Sequence, residues 1–141
     1  MRYRPLLRAA LAGLSYVTVV FAVGFALGAL RVLVLTPRLG ENIAVLLELP
    51  IILAISWIAC RWLITRFNVP LQLTSRLIMG GLAFTILMIA ELGVSVFVFG
   101  RTFSGHLGQY ETWHSLLGLA GQITFAVFPL VQAAIARGNS D

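Results

Sequence analysis

Charge is what this sequence has least of. Only 11% of its 141 residues are charged, against about 25% in an ordinary soluble domain. So little charge cannot clothe a water-facing surface, which makes the bilayer the natural solvent. Lysine is missing altogether, and all ten basic residues are arginine. Cys60 is the single cysteine, which excludes an internal disulfide and a paired-thiol metal site and leaves a packed thiol. No segment alternates with period two over its length, so barrel strands are excluded. Low-complexity segments and convincing internal repeats are also lacking. Neither GxSxG, nor HExxH, nor a glycine-rich phosphate loop after a strand occurs. The chain is accordingly expected to be no enzyme and to carry no cofactor and no metal.

What fills the sequence is apolar: 60% of the residues are hydrophobic, and the mean hydropathy is +0.97. Four runs are long enough to span roughly 30 Å of hydrocarbon: about 9–30, 43–60, 77–100 and 115–136. A spanning backbone that cannot close a barrel has to be helical, because lipid offers its polar groups no partner. The predicted fold is an all-α membrane protein, one four-transmembrane-helix bundle made from residues 1–141. The first run, preceded by Arg2, Arg4 and Arg8, is longer than the apolar region of a signal peptide and reads as an uncleaved helix. Its continuation through Val32 is expected to end at Thr36, before Pro37, with a tight connection to the second helix.

Arginine bias sets the expected orientation. Arg2, Arg4, Arg8, Arg61, Arg66, Arg76 and Arg137 fall on one side, and Arg31, Arg38 and Arg101 on the other. Both termini and the 67–75 loop are therefore predicted to be cytoplasmic, in a bacterial inner membrane. Arg66 and Arg76, flanking that loop, are expected to contact anionic headgroups. The high pI does not point to nucleic acid, because the arginines cap apolar runs and form no basic face.

Candidate chemistry lies in the ionisable groups that interrupt the apolar runs. Glu48 and Glu91 fall inside runs two and three, Arg31 at the edge of run one, and Gln122 inside run four. Counted from the outer boundary at 1.5 Å per residue, Glu48, Glu91 and Gln122 all fall roughly 9 to 15 Å deep. Four helices thus deliver polar groups to one layer. A charge at that depth costs about 3 kcal/mol or less unless it finds a partner, water or a proton. Two readings follow. In one, Glu48 and Glu91 bind protons or a cation, with Arg31 tuning them and Gln122 as a ligand. In the other, Arg31 forms a structural ion pair with Glu48 or Glu91, and the remaining carboxylate is protonated.

Gly24 and Gly28 form a GxxxG pattern on the face that carries Arg31, and Gly118 shares a face with Gln122, Ala126 and Pro129. These glycines are the expected helix-packing positions. His106, Glu111 and His114 lie in the segment before run four at a spacing that matches no metal motif, so they read as solvated loop residues, with Gly105 and Gly108 making the loop flexible. The function expected first is that of an accessory or scaffold component packed against other membrane helices, in a homo-oligomer or a larger complex. The alternative is a small proton- or cation-coupled transporter or channel acting as a homo-oligomer through the Arg31, Glu48, Glu91 and Gln122 cluster.

Overall fold

A computed structural model describes residues 3–140. Helix α1 (Tyr3–Leu30) runs without a break through a π-helical turn, Arg31–Leu35, into α2 (Thr36–Leu39). Gly40 alone links it to α3 (Glu41–Phe67). Helix α4 (Leu73–Gly93) likewise ends in a π-helical turn, Val94–Val98. A short helix, α5 (Phe103–Gly108), and a single 3-10 turn, Gln109–Glu111, precede α6 (Trp113–Gly138). Four helices are long and apolar enough to cross a membrane: Tyr3–Leu39, Glu41–Phe67, Leu73–Val98 and Trp113–Gly138.

The expected spans are all present, and the helices outrun them except at the end of the third, which stops at Val98 instead of Gly100. The largest correction is at Pro37, which does not stop the first helix. Proline lacks an N–H, and its ring collides with the carbonyl four residues back. Here the turn ahead of it is widened, with the Thr36 N–H bonding to the carbonyl of Arg31, and the helix passes through. The chain turns instead at Gly40, whose φ of 81° favours glycine. At the far end of α3 a left-handed Asn68 (φ 50°) closes the helix, and Val69 N–H bonds back to Ile64 O at 3.0 Å.

Helix α1 packs on α3 and α4, and α6 packs on the same two. The four long helices therefore form a square in the order α1, α3, α6, α4, with α1 diagonal to α6. The half that holds the α3–α4 connection and the ends at Tyr3 and Ser140 is here the terminal half. The half that holds Gly40 and α5 is the distal half.

The buried core belongs to the terminal half. Ala9, Ala12, Tyr16, Cys60, Leu63, Met79, Ala83 and Phe125 form one cluster there. Tyr16 stacks on Phe125 with ring centroids 4.2 Å apart, and its hydroxyl donates to the Phe125 carbonyl at 2.9 Å. A Cβ on Gly13 would lie 2.7 Å from the Met79 carbonyl oxygen, and one on Gly80 would overlap the Ala126 carbonyl. Backbones approach this closely only where side chains are absent.

The expected packing glycines behave differently. A Cβ at Gly28 or Gly118 would meet nothing within 4 Å, and at Gly24 only Ile52 in ordinary contact at 3.7 Å. The close approaches fall at Gly13, Gly80 and Gly121, where a Cβ would reach Leu49 Cδ2 at 2.6 Å. A GxxxG spacing marks a smooth helix face, whereas the neighbouring helix decides which part of the face is touched.

Arg76 is a second correction. It is only 3% exposed, and its guanidinium donates to Pro70 O (2.9 Å), Val69 O (3.3 Å) and Pro129 O (3.5 Å). Instead of reaching headgroups it binds the α3–α4 connection to α6. Arg137 donates to Leu71 O and clasps the same connection from the other side. Arg2 and Asp141 lie outside the described residues.

Candidate functional site

The distal half encloses a cavity of about 840 Å³ on the axis of the square, within the range of small-molecule sites. Arg31, Glu48, Glu91 and Gln122 all line it. Its deeper wall is apolar, made by Val20, Phe21, Ile52, Leu53, Leu87 and Phe125. The Tyr16–Phe125 stack lies beneath that wall and closes it toward the terminal half. Glu41, Arg101 and Thr112 line the same cavity and are exposed, so its mouth is at the distal end.

The four polar groups divide into two pairs. Arg31 Nε lies 2.5 Å from Glu48 Oε2, an ion pair between the π-turn after α1 and α3. Gln122 Nε2 donates to Glu91 Oε1 at 2.5 Å, joining α6 to α4. In the square of helices these are opposite edges, so the pairs stand on opposing walls. Sequence reasoning left Arg31 a choice of partners, and the structure gives it Glu48. The two carboxylates do not share a partner. Glu91 faces a neutral amide; among the described residues Arg31–Glu48 is an arginine–carboxylate pair, and His114 lies against Glu41.

Two residues that sequence reasoning did not single out enter the site. Ser95 sits in the π-turn that ends α4, lines the cavity, is 4% exposed, and has no hydrogen-bond partner for its Oγ. Gln122 Oε1 is buried without a partner as well. A serine in a run reading Val-Ser-Val-Phe-Val carries no signal in sequence that its carbonyl ladder is about to widen. Tyr110 lines the cavity mouth. Burial, with the negative charge of Glu91 adding to it, pushes its phenol above the ordinary tyrosine value, so it stays a neutral donor at physiological pH.

The segment before α6 is more ordered than its glycines suggested. Thr102 caps α5, accepting from Gly105 N–H at 3.0 Å. His106 stacks edge-on against Tyr110 at 5.8 Å, and both line the cavity. His114 Nε2 lies 3.2 Å from Glu41 Oε1, which bridges the start of α6 to the start of α3 at the mouth. Glu111 is exposed and outside the cavity lining. No three of His, Cys, Asp and Glu among the described residues come close enough to hold a metal.

No protein family, curated protein or solved structure matches the chain. The fold and the cavity are therefore the ground on which a function has to be argued.

Proposed function

We propose that this protein is a multi-pass component of a bacterial inner membrane that binds a proton or a small cation in its distal cavity, as the working site of a small transporter or channel. On this reading it is not an enzyme, it needs no cofactor, and it acts as a homo-oligomer. Arginine bias puts both termini in the cytoplasm, which turns the cavity mouth to the outer side.

The observation that carries the reading is the unequal treatment of two intramembrane carboxylates. Glu48 has Arg31 at 2.5 Å, whereas Glu91 has only the amide of Gln122. An ionisable group buried among apolar helices is retained at a cost of about 3 kcal/mol on insertion scales. Glu48 recovers that cost through its ion pair. Glu91 recovers it by taking a proton or another cation, and it takes it from a cavity that reaches the outside.

The test is uptake of protons or sodium by the reconstituted protein in liposomes. Wild type is expected to move one of them above empty-liposome background, and Glu91→Gln is expected to fall to background while inserting and eluting normally. Flux in Glu91→Gln equal to wild type would sink the reading. An accessory or scaffold role is the second reading, and one observation favours it. Gly81 and Thr85 lie four apart on the exposed side of α4, with open space over Gly81, a surface on which another helix can lie closely. That reading expects a heterologous membrane partner at fixed ratio in native mass spectrometry of gently extracted protein.

A further inference from the structure

The charges and unused acceptors of the cavity specify what kind of molecule completes it. Arg31 and Arg101 line it against Glu41, Glu48 and Glu91. With Arg31 committed to Glu48 and Glu41 beside His114, the carboxylate left over is Glu91. Arg101 lies over the Phe99 ring at 5.4 Å and belongs to the exposed rim. Beside Glu91 lie polar atoms able to accept a hydrogen bond. Gln122 spends its amide N–H on Glu91, which leaves its Oε1 buried and unpaired, and Ser95 Oγ is buried and unpaired one helical turn along α4 from Glu91. Buried acceptors without donors cost about 1–3 kcal/mol each, and a bare metal ion would leave the apolar part of an 840 Å³ cavity unfilled.

The walls say where such a molecule comes from. Phe25, Val32 and Leu33 on the α1 side and Phe99 after α4 line the cavity and are themselves exposed, which makes this the most weakly covered side of it. The two helices on either side, α1 and α4, both widen into π-turns, at Arg31–Leu35 and Val94–Val98. They lie against each other at Gly13 and Met79, and 18 residues separate Gly13 from Arg31 while 15 separate Met79 from Val94. The widened turns therefore lie at about the same height, within a few residues at 1.5 Å rise.

We propose that the cavity binds a membrane-soluble amphiphile whose head is an N–H-bearing cation, a protonated primary amine. Its ammonium protons are received by Glu91, Gln122 Oε1 and Ser95 Oγ. Its apolar body lies among Val20, Phe21, Ile52, Leu87 and Phe125, and it enters between α1 and α4. The proposal rests on the reading of Glu91 as a cation site and specifies the cation.

The experiment is calorimetric titration of the full chain in nanodiscs with three probes of equal chain length: octylamine, octyltrimethylammonium and octanol, with empty nanodiscs subtracted. Octylamine is expected to bind, and the other two to bind at least about tenfold more weakly, the value of one charge-assisted hydrogen bond. Glu91→Gln is expected to weaken octylamine by a similar factor, whereas Glu111→Gln leaves it unchanged. Because Glu91→Gln can disturb the pair with Gln122, Ser95→Ala is the second variant, expected to narrow the preference for octylamine over octyltrimethylammonium. Equal binding of octylamine and octyltrimethylammonium by wild type overturns the proposal. So does absence of octylamine binding by a protein that still moves protons or sodium through Glu91, a result that leaves the cation-site reading standing.

Discussion

The two halves of this bundle are made from the same four helices and the same few apolar residue types, yet they are built in opposite ways. In the terminal half, Gly13 and Gly80 bring backbones together, Tyr16 stacks on Phe125, and Arg76 is spent on carbonyls. In the distal half Gly28 and Gly118 face open space, Gly121 meets only the tip of the Leu49 side chain, and the polar side chains meet in pairs across adjoining helices. The π-turns of the first and third spans lie there, beside a cavity of about 840 Å³. Lipid is as apolar as leucine, so helices in a membrane are held by close packing and hydrogen bonds, not by hydrophobic expulsion. Loss of packing in one half must therefore be compensated by the other. The terminal half acts as the clamp that lets the distal half stay open.

The harshest way to break that contrast is at Gly80. A methyl group there overlaps the carbonyl of Ala126, and backbone cannot step aside as a side-chain tip can. Gly80→Ala is expected to cost about 3 kcal/mol, at the upper end of overpacking penalties, and Gly80→Leu to abolish a stable bundle. Reversible unfolding in mixed micelles, read as the denaturant fraction at half-loss of helix, checks both. A Gly80→Ala protein as stable as wild type would mean that the clamp is elsewhere.

Arg76 gives the next largest effect. Its guanidinium is the only charge buried in the clamp among the described residues, and it holds Pro70, Val69 and Pro129 together. Arg76→Met keeps the length of the stem and removes the donors. Three carbonyls then lose charge-assisted bonds, one of them long at 3.5 Å, for an expected loss of about 2 kcal/mol. The 68–72 connection should become open to protease, while octylamine binding at the other end changes less than twofold. A large loss of binding with no loss of stability would erase the division into halves.

Much of this was legible in sequence, and the illegible part has one cause. Run length and charge scarcity identify four helical spans, because a lipid solvent imposes a length and forbids unpaired backbone. The depth of Glu48, Glu91 and Gln122 follows from counting, and all three line one cavity together with Arg31. What counting cannot supply is the neighbour. Helix α1 adjoins both α3 and α4, so the choice of Arg31 between Glu48 and Glu91 rests on side-chain direction, which sets Arg31 Nε 2.5 Å from Glu48 Oε2. Gly28 and Gly118 share faces with functional residues, but those faces look onto empty space, and Gly13 and Gly80 are the ones pressed against a backbone. Pro37 and Ser95 were hidden because a π-turn has no periodic signature. Arg76 looked like a headgroup anchor because nothing local reveals that a connection folds back over it.

The mildest intervention sharpens the contrast most. Gly28 and Gly118 line the cavity from α1 and α6, and a Cβ on either meets nothing within 4 Å. Glycine inside a helix costs roughly 0.5–1 kcal/mol relative to alanine, so Gly28→Ala and Gly118→Ala are each expected to leave stability unchanged or raise it by up to about that amount. The same substitution at Gly80 is costly, and the difference lies in whether the methyl group meets a backbone carbonyl or open space. Leucine at position 28 or 118 goes further, since its side chain has to occupy the cavity. The bundle should then remain folded, with melting unchanged, while octylamine binding is lost. A glycine that can be enlarged at no cost to the fold has been kept small for what the space holds.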